Sequence, residues 1–155
     1  GKTAALFAAA CEVGAVIAGK DDQAVQALAA YGDALGISFQ IVDDLLDYQG
    51  SAATGKNIGD DFRERKLTLP VIKAIAAADD TERAFWHKCI ARGQQEAEDL
   101  SHAMALMTRH GTLEATRAEA LYWAEQAKSA LKDLPDHPLK PVLKDLSDYV
   151  VARIN

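Results

Sequence analysis

Three carboxylates, Asp43, Asp44 and Asp47, fall within five positions of an otherwise apolar run, Phe39-Gln40-Ile41-Val42-Asp43-Asp44-Leu45-Leu46-Asp47-Tyr48. On an α-helix Asp43 and Asp47 share one face, about 6 Å apart along the axis. Like charges at this spacing repel, and aspartate is a mediocre helix former, so the run needs compensation. A bound cation supplies it: carboxylate oxygens are hard ligands that suit Mg²⁺, which shares its shell with water and with substrate phosphates. The alternative is a solvated acidic face. Phe39, Ile41, Val42, Leu45 and Leu46 weigh against that alternative, because they mark a helix that is mostly buried.

The elements that must position these groups are helical. The chain has 155 residues, 49% of them hydrophobic and 26% charged, with only four prolines, which fits one domain with a real core. Residues 3–18 read as a small-residue helix with an apolar face of Leu6, Phe7, Ala10, Val13, Gly14 and Ile17. Gly19 suits its end, and Asp21 or Asp22 suits the next start. Residues 22–49 then form one long helix in which Gly32 and Gly36, costly for helix propensity, serve close packing against a neighbour. Residues 50–65 form a polar, charged loop directly after the aspartates, of a length that is commonly functional.

Helical periodicity resumes over 67–78 with Pro70 in the first turn, from Thr81 through Ile90, over 94–109, from Thr112 as cap to Lys132, and over 139–153. The last helix shows Leu139, Val142, Leu143, Leu146, Tyr149 and Val150. No strand alternation and no repeat interrupts the pattern, so the fold class is an all-α bundle.

Composition narrows the chemistry further. The formal charge of −6 leaves no basic stripe for nucleic acid. The two cysteines, Cys11 and Cys89, lack metal spacing and a disulfide framework, which makes a reducing cytoplasm the default compartment. Glu12 interrupts the apolar start, so neither a signal peptide nor a transmembrane segment is expected. Gly1-Lys2-Thr3 matches the tail of a phosphate-binding P-loop, but the glycine-rich front and the parallel sheet are missing; Lys2 at a helix start still suits an anion. The four histidines do not group, and Asp99 with His102 reads as a surface pair. The aspartates with Lys56, Asp61 and Lys66 make a set suited to a diphosphate, with lysines as point charges on its oxygens.

At this level of detail the chain resembles the trans-isoprenyl (polyprenyl) diphosphate synthases. Phe39-Gln40-x-x-Asp43-Asp44-x-x-Asp47 is similar to that family's second aspartate-rich motif. Thr54-Gly55-Lys56, Gly59-x-Asp61 and Lys66-x-Thr68-x-Pro70 fit its lysine loop, and Lys2-Thr3 with Leu6-Phe7 and Gly14-Ala15 fits its earlier Lys-Thr helix. The resemblance covers the whole chain, while the chain covers about the C-terminal half of the family's fold. The Lys-Thr-Leu-Pro run and the final helices are most similar to long-chain members that make octaprenyl or decaprenyl diphosphate for quinone side chains such as that of ubiquinone.

The resemblance implies a helical bundle of the isoprenoid synthase type, with residues 1–155 as part of one domain and 50–65 as its active-site loop. It implies Mg²⁺-assisted condensation of isopentenyl diphosphate with an allylic diphosphate. Asp43 would ligate Mg²⁺, with Asp47 holding metal water and Asp44 either role. Lys2 and Lys56 would hold the allylic diphosphate, Thr3 and Gln40 would line the reacting carbon, and Lys66 and Asp61 would shape the loop. It also implies a homodimer and an N-terminal half bearing a first aspartate-rich motif, without which this chain is inactive. A non-catalytic subunit pairing with such a half, and a terpene cyclase, are the alternatives.

Overall fold

The computed structural model describes residues 2–49 and 58–154, and all regular structure among them is helical. Lys56, with Thr54 and Gly55, and Gly1 lie outside the described residues. The helices are α1 (Lys2–Ile17), α2 (Asp22–Gln49), α3 (Asp60–Arg63), α4 (Leu69–Ala77), α5 (Asp80–Trp86, continued by a π turn over His87–Ala91), α6 (Asp99–Arg109), α7 (Thr112–Ala130) and α8 (Leu139–Ala152). They fall into two compact units, residues 1–42 with 118–155, and residues 43–117.

The first unit is built on close approach. Gly32 and Gly36 of α2 face α1 so tightly that a Cβ on Gly32 would lie 2.5 Å from the Phe7 carbonyl oxygen, and one on Gly36 would lie 2.6 Å from the Ala4 Cα. The expected use of both glycines is therefore what the structure shows. Asp21 is the cap: its carboxylate accepts the Ala24 amide at 2.9 Å. Gly19, at φ +63°, turns the chain out of α1. On the remaining sides, the Tyr31 hydroxyl donates to the Leu143 carbonyl at 2.9 Å and the Ser38 hydroxyl to the Ala120 carbonyl at 2.9 Å, so both buried hydroxyls are satisfied. Lys140 donates to the Lys132 and Leu134 carbonyls and so closes the end of α7.

Two helix faces differ from expectation. The buried side of α1 is Ala4 and Ala15, whereas Leu6 (70% exposed), Val13 (54%) and Ile17 (81%) lie in solvent. The glycine notch of α2 admits only a small-residue face, and that takes precedence over the larger apolar stripe. On α8 Val150 is buried as expected, together with Ser147 and Val151, while Leu139, Val142, Leu146 and Tyr149 of the expected face are exposed.

The second unit has its own core, in which Tyr48, Phe62, Val71, Trp86, Cys89 and Met107 are buried together. The Trp86 ring meets the Phe62 and Phe85 rings edge-on. Several boundaries shift here. Residues 94–98 are irregular and α6 begins at Asp99. α5 starts one residue before Thr81, from a capping box of Asp79 and Glu82. Thr112 is the first residue of α7 rather than its cap, and its hydroxyl donates to the Met107 carbonyl at 3.3 Å. Within the segment read as a loop, residues 60–63 form a helical turn. Asp99 and His102 form no surface pair. Asp99 is buried and bonded to Glu96, Lys88 and Cys89, and His102 packs edge-on against Phe85.

Glu82 joins α5 to the end of α6. Its carboxylate faces His110 Nε2 at 2.8 Å, accepts Arg109 Nη1 at 2.9 Å and accepts the Asp79 amide at 3.1 Å. The bond to His110, then that to the Asp79 amide, holds its carboxyl below the usual value of 4.5. The folded chain thus releases this proton more readily than the unfolded one. The contribution is fully present above about pH 4.5 and is lost as pH falls through the lower folded value. Thermal melts should show a shallower acid-side loss for Glu82→Gln than for the parent between about pH 6 and pH 3. Parallel curves would rule out Glu82 as a source of that loss.

Candidate diphosphate and metal site

In the first unit, the close approach of α1 to α2 at Gly32 and Gly36 sets the pairing of Thr3 with Gln40. The Thr3 hydroxyl donates to Gln40 Oε1 at 3.0 Å. Lys2 is exposed at the amino-terminal end of α1. Beside this pair, the Phe39 ring meets Phe7 at 5.7 Å between centroids and lies under the Arg153 guanidinium at 5.5 Å.

In the second unit, the three aspartates do different things. Asp43 is half-buried, and among the described residues its carboxylate has no hydrogen-bond or ion-pair partner. Asp44 Oδ2 accepts the Leu69 amide at 3.2 Å, at the start of α4, where the following Pro70 has no amide to offer. Asp47 Oδ2 accepts the Asp61 amide at 3.1 Å, and its backbone carbonyl accepts the Gly59 amide at 2.9 Å. Asp47 therefore closes the amino-terminal end of α3 as a cap residue would, though it lies fourteen positions upstream. Burial pushes the Asp47 carboxyl above its ordinary value, and the Asp61 and Asp60 charges add to this, against the amide bonds that favour the charged form.

The α3 turn leads to the lysine. Lys66 Nζ pairs with Asp61 at 2.8 Å and with Glu64 at 2.8 Å, and its side chain remains 56% exposed. The bonds to Asp61 and Glu64 raise its pKa, so it is a fixed positive charge at every physiological pH. Gly59 enters the turn at φ +80° and Arg65 leaves it at φ +59°, a left-handed conformation that costs a non-glycine residue about 1 kcal/mol. A non-glycine residue held there marks a turn fixed by its surroundings.

Among the described residues no three His, Cys, Asp or Glu side chains converge into a cage for a metal ion. The donor set suits Mg²⁺ in its other habit, one or two carboxylates with the remaining positions filled by water and substrate phosphate oxygens. Asp43 offers the uncommitted carboxylate. Asp44 and Asp47, bonded to backbone amides, are placed to orient the segments around it. Sequence reasoning missed the amides of Leu69 and Asp61 as partners, because a contact between distant positions leaves no local signal. It also missed Gln95, whose segment reads as helix.

The helical fold and the aspartate and lysine elements together define a protein of the isoprenoid synthase class, and the comparisons agree. Residues 1–107 match the polyprenyl synthetase family model, and the chain belongs to that family. It is 37% identical over 153 residues to an octaprenyl diphosphate synthase of Haemophilus influenzae, covering 98% of this chain and 46% of that protein. Among solved structures, a polyprenyl synthase of Roseobacter denitrificans superposes with a TM-score of 0.94 at 62% identity, covering 99% of this chain and 50% of that one. A decaprenyl diphosphate synthase of Rhodobacter capsulatus superposes at 0.93 with 65% identity, covering 99% and 48%. The chain spans about half the length of the relatives it matches.

Proposed function

We propose that this chain is the carboxy-terminal part of a long-chain trans-polyprenyl diphosphate synthase, which joins isopentenyl diphosphate to an allylic diphosphate. The observation that carries the reading is the Asp43 carboxylate, without a partner among the described residues, on a helix where Asp47 is tied to the α3 turn that leads to Lys66 and Asp44 to the start of α4. In the reaction the allylic C–O bond breaks and the diphosphate leaves with the electron pair. The allylic carbon then bonds to the double bond of isopentenyl diphosphate, and a proton is lost. Asp43 would hold Mg²⁺, which would supply positive charge to the departing diphosphate.

The other residues prepare the site. Lys2, Lys56 and Lys66 act as point charges on diphosphate oxygens, which matters most once water is excluded. The Thr3–Gln40 pair presents polar oxygen beside the reacting carbon, where partial negative charge favours a carbocation. Asp44 and Asp47 hold the α4 start and the α3 turn in register with Asp43. The octaprenyl and decaprenyl names among the relatives favour long products, although short-chain and geranylgeranyl synthases match at similar sequence identity, and all these names are of elongating synthases rather than cyclases.

The large exposed residues of α1, Leu6, Val13, Val16 and Ile17, support a partial chain, since a stripe of that kind marks a surface that another segment covers. In this reading the cover is the half that bears the first aspartate-rich motif, in the cytoplasm and within a homodimer. The test is an assay of prenyl transfer with Mg²⁺, comparing the 155-residue chain alone with the same chain joined to or co-expressed with such a half. We expect no turnover alone and octaprenyl to decaprenyl products from the combination. Robust turnover by the chain alone removes the partial-chain reading, and an inert combination favours a non-catalytic subunit.

A further inference from the structure

Asp47 takes its orientation from the amide of Asp61, and that amide belongs to a single helical turn of four residues. A turn that short does not persist by itself. Its hold comes from the segment between the π turn and α6. The Phe62 side chain is buried in the second core, and the Phe62 carbonyl accepts Gln95 Nε2 at 2.8 Å. The same nitrogen donates to the Cys89 carbonyl in the π turn at 3.2 Å. One carboxamide nitrogen has two hydrogens, so both bonds form at once.

The segment carrying Gln95 is itself anchored. The Asp99 carboxylate accepts the Glu96 amide at 2.9 Å and Lys88 Nζ at 3.2 Å, and it takes the Cys89 thiol hydrogen at 3.5 Å. Shape closes the join on either side of Gln95. The Leu100 side chain fills the space that a Cβ on Gly59 would need. The Arg65 side chain lies over Gly93, 2.7 Å from where a Cβ would stand. Of these ties between residues 59–65 and 93–100, the Gln95 bond is the directional one.

We propose that Gln95 is a positioning residue for the diphosphate chemistry. Its carboxamide fixes the α3 turn, and through the Asp61 amide and the Lys66–Asp61 pair it sets the Asp47 carboxylate and the lysine charge. This rests on the function proposed above. Among the described residues Gln95 reaches the site through two backbone carbonyls, so its role depends on donating hydrogens and not on filling space.

The experiment compares Gln95→Glu, Gln95→Ala and Gln95→Lys in the full-length synthase. Glutamate keeps the shape and loses the donors, whereas lysine keeps donors on a chain of similar reach. The first readout is amide hydrogen exchange across residues 60–66 without substrate. The second is the Mg²⁺ concentration giving half-maximal prenyl transfer. In the Glu and Ala variants, exchange of the Asp61 amide should quicken about tenfold, and the half-maximal Mg²⁺ concentration should rise about tenfold, with kcat at saturating Mg²⁺ within about threefold of the parent. Gln95→Lys should restore both. If alanine does not fold, the contrast between Glu and Lys decides. Parental behaviour of Gln95→Glu in either readout overturns the inference, as does a Gln95→Lys as impaired as Gln95→Glu. A parent synthase that transfers no prenyl group overturns the underlying reading instead.

Discussion

On the function proposed above, Asp43→Ala in a full-length synthase should lower prenyl transfer by about a thousandfold, equivalent to about 4 kcal/mol of transition-state stabilisation. Asp43 differs from its neighbours in lacking a partner among the described residues, while Asp44 and Asp47 accept backbone amides. Among the described residues its removal deletes no hydrogen bond, and it relieves the repulsion with Asp47 one turn away, so the melting temperature should hold or rise slightly. The combination of a collapsed rate and an intact fold separates a metal ligand from a structural aspartate. Steady-state rates and a thermal melt on the same preparation provide the check. A rate within about threefold of the parent would remove Asp43 from the mechanism.

Gly32→Ala should destabilise the chain by about 2 kcal/mol, although helix propensity alone predicts a gain of about 1 kcal/mol. The two arguments disagree in sign, so a denaturation curve decides between them. The added Cβ would stand 2.5 Å from the Phe7 carbonyl oxygen and 2.9 Å from the Ala8 Cα, both backbone atoms that no rotamer change can move aside. α1 would have to lift from α2, which also parts Thr3 from Gln40. Activity should therefore fall together with stability, unlike the Asp43 case. A variant as stable as the parent would show that the α1–α2 contact yields without cost.

The same two glycines show what local sequence can and cannot convey. α2 was legible to its ends, since Asp21 caps it and its apolar spacing persists through to Gln49. The all-α class was legible for the same reason, and the glycine notch because two glycines inside a helix cost propensity that close packing offsets, although the residues they meet, Ala4, Phe7 and Ala8, lie on another helix. The inward faces of α1 and α8 were not. α1 carries both a large apolar stripe and a small-residue stripe, α8 carries two overlapping apolar stripes, and in each the facing surface selects between them. Of the candidate site, the acidic helix and the lysines were readable from residue type and spacing, and the family resemblance supplied Thr3 and Gln40. The division of labour among Asp43, Asp44 and Asp47 depends on amides fourteen and twenty-five positions away. The π turn, with the irregular stretch after it, broke the periodicity that read residues 94–98 as helix, and with it the view of Gln95.

The Cys89–Asp99 contact that anchors the Gln95 segment also governs the thiol chemistry of the protein. Cys89 is fully buried, and burial, followed by the Asp99 charge, pushes its thiol up to about 11. At neutral pH the thiolate that alkylating and oxidising reagents attack is therefore scarce at this position. Cys11, half-buried on α1, is the cysteine open to such reagents, with burial raising its pKa as well. A dye or spin label attached to the folded chain therefore reports from α1, beside the Gly32 and Gly36 contact, and leaves the support of the lysine-bearing turn untouched.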